Sequence, residues 1–524
     1  MQELTWWQRA IVYEIYPRSF QDSNNDGIGD LNGIRRRLDY LVQLGVDAIW
    51  ITPVYSSPMA DFGYDVADYC GIDPIFGTMQ DFDSLLFECH QRGLRVILDF
   101  VPNHTSDQHP WFLESRSSRQ SPKRDWYLWK DEPNNWPSQF GGSAWEYDAI
   151  SGQYYCHSFL KQQPDLNWRN PAVKDAMFDV LRFWLNRGVD GFRVDVMWLM
   201  IKDDQFRDNP PSPGYLPGQS SSQRLLSVFN SDRPEVHAVV AAMREVVDEY
   251  ESRVLIGEIY LPVQLLMTYY GATLQGANLP FNFLLLQCAW SAEAVRATIS
   301  EYMVALPSGA WPNWVLGNHD NARIATKVGP QQAPVAAMLL LTLPGTLTMY
   351  YGEEIGMTNV AIPPEDIKDP AEKNQPGIGM GRDPERTPMQ WDSSPAAGFT
   401  AAVPWLPIAS DFDKNNVATL LNDRASLLHL YIRLITLRRT HATLVNGELN
   451  RLSADSSLLR YERVSSAERL LVLLNLGSDP VECQVQSGTV LLSTRFDRDG
   501  ERVRDMIAVR GAEGLVIVLD SDRY

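Results

Sequence analysis

Over the first two thirds of the chain, short β-branched and aromatic runs alternate with stretches whose apolar residues recur every three or four positions. The runs predict strands at 11–16 (IVYEIY), 48–52 (AIWIT), 95–100 (RVILDF) and 191–196 (GFRVDV), then at 253–258 (RVLIGE), 277–283 (ANLPFNF), 313–317 (NWVLG) and 347–351 (LTMYY). Helical spacing is kept by Leu31, Ile34, Leu38, Leu41 and Val42, by Met177, Phe178, Leu181, Trp184 and Leu185, and by Leu427, Leu428, Tyr431, Leu434 and Ile435. Gly45, Gly93 and Gly188 stand at helix ends just before a strand. Eight such alternations predict an α/β fold, a parallel (β/α)8 TIM barrel. A doubly wound sheet is the rival, but no glycine-rich phosphate fingerprint follows the first strand.

Three stretches break the alternation. Residues 104–168 are rich in Trp, Pro, Ser and Asn and read as an inserted subdomain after strand three; residues 353–420 are polar and Pro/Gly-rich, an insertion after strand eight. From 446 the pattern changes to short strands separated by turn residues (LLRYERV, RLLVLLNL, VECQVQ, TVLLS, GLVIVLD). The expected domains are therefore a barrel from 1–103 and 169–445, the insert 104–168, and a C-terminal all-β sandwich 446–524.

Composition narrows the function. The chain of 524 residues carries a formal net charge of −19, which repels polyphosphate and argues against nucleic acid or an anionic membrane as partner. Five scattered cysteines (Cys70, Cys89, Cys156, Cys288, Cys483) without CxxC spacing read as reduced thiols in a cytoplasmic protein. The start, MQELTWWQRA, shows no signal peptide, and the most apolar stretch, PVAAMLLLTLPGTLTMYY, is broken by Pro344-Gly345 and is too short to span a bilayer on either side.

The stretch QDSNNDGIGD (21–30) has the alternating oxygen residues of a calcium loop. An EF-hand also needs a preceding helix and a Glu at loop position 12. That position, counted from Asp22, is Gly33, and the preceding segment reads as strand, so the EF-hand reading fails.

Acids crowd the predicted strand ends, where the loops of a barrel build its active site. Strand three carries Asp99 and leads to Asn103 and His104; strand four carries Arg193 and Asp195; strand five ends at Glu258; strand seven leads to His319 and Asp320. One such acid is readily a helix cap or half of an ion pair. All of them facing one mouth cost electrostatic energy that folding alone would not retain. A transition-metal site is disfavoured, as no His-x-x-x-His or Cys pair is present. Carbohydrate chemistry needs such a group, with one ionised carboxylate and one protonated carboxyl about 5 Å apart for net retention.

DFVPNH (99–104), GFRVDV (191–196), GEIY (257–260) and LGNHD (316–320) resemble, in order and strand position, the four signature regions of the α-amylase family of retaining glycoside hydrolases. QPDLNW (163–168) and GRDPERTPMQWD (381–392) resemble its oligo-1,6-glucosidase and α-glucosidase branch. The resemblance implies Asp195 as nucleophile, Glu258 as general acid/base and Asp320 as the residue holding the distorted ring. It implies Arg193, His104 and His319 around the same sugar, with Tyr64 as a stacking platform and Asp61 as a hydroxyl ligand in the loop MADFGYDVADY. Arg382 is the choice for the partner of Asp61 at the blind end, with Arg386 as fallback. It also implies a structural Ca2+ or Mg2+ held by Asp22, Asn24, Asp26, the Ile28 carbonyl and Asp30, a site that a metal-free turn of Asx hydrogen bonds would also explain.

The expected activity is exo-acting, retaining hydrolysis of terminal α-linked glucose from a small α-glucoside, by a monomer or small homo-oligomer. Val196, after the nucleophile, is the residue type of α-1,6-preferring relatives. The excursion IKDDQFRDNPPSPGYLPGQSSS departs from the oligo-1,6-glucosidase pattern and leaves the linkage open. An isomaltase or a trehalose synthase is the neighbouring alternative. A sucrose isomerase fits poorly, because NARIATKVGPQQ lacks the arginine-rich loop of those relatives. The non-catalytic transporter heavy chain that shares this barrel needs a membrane-spanning helix. A pure sugar-binding module has no use for nucleophile, acid and stabiliser together.

Overall fold

The computed structural model describes residues 4–520. All eight expected barrel strands form: β1 (Ile11–Ile15), β2 (Ala48–Ile51), β3 (Arg95–Phe100), β4 (Gly191–Val194), β5 (Val254–Gly257), β6 (Leu279–Pro280), β7 (Asn313–Val315) and β8 (Thr346–Tyr350). They pair in parallel in the order β6-β5-β4-β3-β2-β1-β8-β7. The seam between β6 and β7 is closed by side chains. Asn313 Oδ1 accepts from the Asn282 N–H at 2.9 Å, and Asn313 Nδ2 donates to the Pro280 carbonyl at 2.8 Å. Pro280 has no N–H to offer a ladder, which explains why this strand is shorter than its apolar run.

Alternation along the strands sorts the side chains. Ile11, Tyr13, Ile15, Ile49, Ile51, Val96 and Leu98 face out and join the main core under the helices, while Val12, Ala48, Trp50, Ile97, Val254 and Ile256 fill the barrel. The inward parity continues past the apolar plug to Glu14, Asp99, Arg193, Asp195 and Glu258, all buried at the C-terminal rim. Glu14 and Asp99 are the last inward positions of β1 and β3, and Asp195 and Glu258 take the next inward positions just past β4 and β5. The helices Leu38–Leu44 and Pro171–Arg187 end on Gly45 (φ +96°) and Gly188 (φ +106°), whose left-handed backbone turns the chain into the next strand.

Between β3 and β4 the chain forms the helix Pro110–Ser117 and a small antiparallel sheet of Trp129–Lys130, Gln153–Cys156 and Trp145–Asp148. The insertion after β8 runs over the rim and contains short helices, among them Pro370–Asn374 and the turn Asp383–Glu385. The C-terminal strands β9 (Glu448–Asp455), β10 (Leu458–Val464), β11 (Arg469–Asn475), β12 (Val481–Ser493), β13 (Arg502–Val509) and β14 (Gly514–Leu519) make one antiparallel sheet, ordered β9-β10-β11-β14-β12-β13. Bulges along β12 turn it from β14 to β13, and Leu471, Leu473, Val485, Ile507 and Ile517 share one apolar core. The opposite face, with Tyr461, Val472 and Val516, packs on the barrel. No helix among the described residues is long and apolar enough to cross a membrane.

Candidate active site

Arg193 organises the rim. Its Nη1 donates to Asp99 Oδ1 at 2.7 Å and to Asp195 Oδ1 at 2.8 Å, and its Nη2 lies 2.7 Å from Glu258 Oε2. The guanidinium is buried and lies over the Trp50 ring, 5.1 Å from its centroid. Residues from β3, β4 and β5 are thereby tied to one planar fork, a geometry lysine cannot supply. Asp99 Oδ2 accepts from Trp50 Nε1 at 3.2 Å and from the Tyr64 hydroxyl at 3.1 Å.

Beyond Asp195 the backbone makes a forced turn. Val196 sits at φ +37°, ψ +46°, a left-handed conformation that costs a β-branched residue about 1–3 kcal/mol. The turn aims the Val196 N–H at Glu258 Oε2, 2.8 Å away. Beside it, a Cβ at Gly257 would stand 2.6 Å from Met197 Sδ, so a larger residue there would have to displace the Met197 side chain. Burial raises the Asp195 and Glu258 carboxyls, Arg193 draws both down, and the neighbouring acids push both up again. The net direction for each is upward, so the pair holds protons more tightly than free carboxyls do.

Asp320 differs. Burial alone would raise it, but its charged surroundings hold it well below the usual carboxylate range. Arg386 Nη2 donates to Asp320 Oδ1 at 2.7 Å and Arg382 Nη1 reaches it at 3.3 Å. A charged His319 would draw Asp320 down most strongly, but burial keeps that ring neutral, so Arg382 and Arg386 carry the effect. Three carboxyls are thus set apart electrostatically: Asp320 is fixed as an anion, while Asp195 and Glu258 are both raised by burial and by their acidic neighbours.

One end of the pocket is blind. Arg382 Nη2 donates to Asp61 Oδ1 and to Asp369 Oδ1, both at 2.8 Å, and Gln163 Nε2 reaches Asp61 Oδ2 at 3.1 Å. Phe140 of the inserted subdomain lies under the Arg382 guanidinium, 4.8 Å from ring centroid to carbon. Both candidate arginines turn inward: Arg382 pairs with Asp61, and Arg386 grips Asp320 and the His319 carbonyl. Tyr64 stacks on His319 with ring centroids 5.5 Å apart. His104 is held by Asn103 at Nδ1 and by the Tyr64 carbonyl at Nε2, and burial lowers its pKa to about 4. A cavity of about 610 Å³ brings Asp61, Tyr64, His104, Asp195, Glu258, His319, Asp320 and Arg382 to one mouth. Arg193 lies just beneath it.

Several residues of this site were not singled out from the sequence. Glu14 obeys the same inward parity as Asp99 and Asp195, a signal present in IVYEIY. Asp369, Phe140 and Phe159 come from loops distant in sequence and carry no such mark.

The loop 22–30 lies apart from this cavity and packs on the β8 insertion. At Gly27 (φ +90°) a Cβ would stand 2.1 Å from the Val403 carbonyl oxygen, so glycine is required. Asp22 accepts from the N–H groups of Asn24, Asn25 and Gly27, Asp26 from Ile28 N–H, and Asp30 from Ser23 and Gly33. These are Asx turns. Among the described residues no group of three or more His, Cys, Asp or Glu is arranged to hold a metal ion. The donor set of carboxylate, amide and carbonyl oxygens still has the chemistry of a hard-cation site.

A parallel barrel whose C-terminal rim carries paired carboxyls, a fixed third carboxylate and a blind pocket defines a glycoside hydrolase. Comparison with known proteins gives its lineage. The alpha-amylase catalytic-domain profile matches residues 14–447, and the chain belongs to that family. It is 40% identical to the oligo-1,6-glucosidase of Parageobacillus thermoglucosidasius, covering 90% of this chain and 91% of that one. It is 41% identical to a probable alpha-glucosidase of Rhizobium meliloti, covering 90% of each. Among solved structures, the alpha-glucosyl transfer enzyme XgtA superposes with a TM-score of 0.93 at 37% identity, covering 99% of this chain and 100% of that one.

Proposed function

We propose that the protein is an exo-acting, retaining α-glucosidase that removes terminal glucose from short α-glucosides. The observation that carries this is one guanidinium, Arg193, bridging Asp195 and Glu258 at the rim of a pocket closed by Arg382 and Asp61. Bridging favours the short carboxyl separation, about 5 Å, of a double displacement; an inverting enzyme keeps about 6.5–9.5 Å for a water. Asp195 Oδ2 attacks the anomeric carbon while Glu258 gives its proton to the departing oxygen. Once Asp195 is esterified its charge is gone, the Glu258 pKa falls, and Glu258 takes a proton from the incoming water. Asp320, kept anionic, holds ring hydroxyls and gains strength as the ring flattens.

The blind end admits only a non-reducing terminus. Maltose, isomaltose, sucrose and trehalose, each incubated with the enzyme, identify the linkage by their products. The first glucose released carries the α-anomer if configuration is retained. Cleavage of interior bonds in a maltooligosaccharide blocked at its non-reducing end would overturn the exo assignment.

Glu258→Gln separates the acid from the nucleophile. With a disaccharide the variant is expected to lose about 10²–10⁴ in kcat, the usual worth of a general acid. With a nitrophenyl glucoside, whose leaving group departs without a proton, the glycosylation step is largely spared. Equal losses of kcat/KM, which reports the glycosylation step alone, on both substrates would remove Glu258 from the acid role.

The oxygens of Asp22, Asn24, Asp26, Ile28 and Asp30 also support a structural calcium or magnesium ion, bound in exchange for some of the turn's own hydrogen bonds. A ligand present at 100 times its Kd stabilises the folded state by about 2.7 kcal/mol. Chelation is therefore expected to lower Tm by several degrees, read by calorimetry; an unchanged Tm eliminates the ion.

A further inference from the structure

Glu14 has no place in the chemistry above, yet it is fully buried at the rim with its Oε1 2.5 Å from His319 Nδ1. Its other oxygen, Oε2, is buried without a hydrogen-bond partner. His319 has little freedom around it. Tyr64 stacks on one side at 5.5 Å, Tyr16 stacks at 6.0 Å, and the Trp50 edge closes a third direction at 6.0 Å. The Nε2 atom faces the Tyr64 hydroxyl at 2.8 Å and Asp320 Oδ2 at 3.3 Å. The Tyr64 hydroxyl is in turn 3.1 Å from Asp99 Oδ2.

Two neutral arrangements of protons are possible along this chain, and they are not equivalent. If Glu14 is an anion, it accepts from Nδ1–H, and Nε2 presents a lone pair. That lone pair then faces the Asp320 carboxylate, and the Tyr64 hydroxyl must turn its proton to Nε2 and abandon Asp99. If Glu14 is a carboxylic acid, its O–H donates to Nδ1 and Nε2 carries the hydrogen. Nε2–H then donates to the Tyr64 oxygen and lies favourably toward Asp320, and Tyr64 O–H donates to Asp99 Oδ2. Every contact is satisfied in one direction.

We propose that Glu14 is a positioning residue, a neutral carboxylic acid whose proton fixes His319 in the Nε2–H tautomer and so aims a donor at the sugar pocket beside Asp320. The surroundings agree. Burial, together with the Asp320 and Asp99 charges, raises the Glu14 carboxyl; Arg193, already bonded to Asp99, Asp195 and Glu258, and the His319 backbone N–H oppose them, and the net direction is well upward. An orphaned buried oxygen is also far less costly on an acid than on a carboxylate. The third arrangement, an imidazolium between Glu14 and Asp320, is opposed by the burial that holds His319 neutral.

The inference rests on the glucosidase reading for its kinetic consequence and on the protein alone for its chemical one, so two readouts are needed. Full-length enzyme with 15N-labelled histidine, and His319 assigned through His319→Gln, gives the tautomer from the two ring-nitrogen shifts. A protonated Nε2 with a pyridine-like Nδ1 is expected; a protonated Nδ1, alone or together with Nε2, overturns the proposal whether or not the enzyme cleaves glucosides. In kinetics, Glu14→Leu is expected to lower kcat by about 10-fold or more. Glu14→Gln, whose amide N–H donates to Nδ1 as the acid does, recovers most of that loss and keeps the tautomer. If Gln is as damaging as Leu while both variants melt normally, Glu14 works as an anion and the assignment fails.

Discussion

Asp195→Asn is expected to abolish turnover on every α-glucoside, by on the order of 10⁴–10⁶-fold, while the protein becomes more resistant to heat. An amide cannot form the glycosyl ester, and unlike the loss of the acid this defect is not relieved by a better leaving group. The stability gain follows from the same geometry. Asn Oδ1 still accepts from Arg193 Nη1, which keeps Asp99 as a second acceptor. What disappears is one negative charge in a buried group already holding Asp99, Glu258 and Asp320. The Asp195 carboxyl is raised in the folded state, so its contribution to stability is lost as pH rises through its folded pKa. Removing the ionisable group removes that loss, and calorimetry near neutral pH should show Tm higher by about 1–3 °C. A lower Tm, or residual activity above that of a mock preparation, would contradict the account. The variant also measures contaminating glucosidase in any product analysis.

How much of this was legible beforehand depends on the range of the forces involved. The barrel could be read because strand parity and helical spacing are local, and each strand carries its own record of which side chains face in. Residue 280 shows the limit: the apolar run 277–283 is real and pairs with β5, but Pro280 lacks an N–H, and toward β7 Asn282 and Asn313 close the seam with side chains. The catalytic acids could be read because they stand at strand ends in short motifs. Asp369 could not, because it reaches Arg382 from across a loop whose path depends on the whole rim. The choice between Arg382 and Arg386 was open in sequence for a good reason, since both enter the pocket and divide the work. One seals Asp61 and the other fixes Asp320. Glu14 lay within reach of the same parity argument that marks Asp99, but a single acid in a strand reads as apolar run until its neighbours at the rim are known.

The largest loss of stability is expected at Arg193. Replacing it by Leu removes the only guanidinium bonded to Asp99, Asp195 and Glu258 among the described contacts of those three acids. Breaking a buried ion pair by deleting one partner costs about 3–5 kcal/mol, because the surviving charge stays buried. Here the survivors can take up protons, and that gives the prediction its sign. Arg193 is the main influence drawing the Asp99, Asp195 and Glu258 carboxyls down. Without it their folded-state values rise further above those of the unfolded chain. Carboxyls raised in this way bind protons preferentially in the folded state, so stability is recovered as pH falls and is lost as pH climbs through the folded values. The Tm gap between the variant and the natural protein should widen as pH rises above the ordinary carboxylate range and narrow as pH falls toward it. A gap independent of pH would mean that the guanidinium acts through packing over Trp50 and not through charge. Arg193→Lys divides the two contributions: it keeps a cation but cannot present Nη1 and Nη2 as a fork. It should regain much of the heat resistance and little of kcat, because the ammonium restores charge balance without holding nucleophile and acid at one spacing.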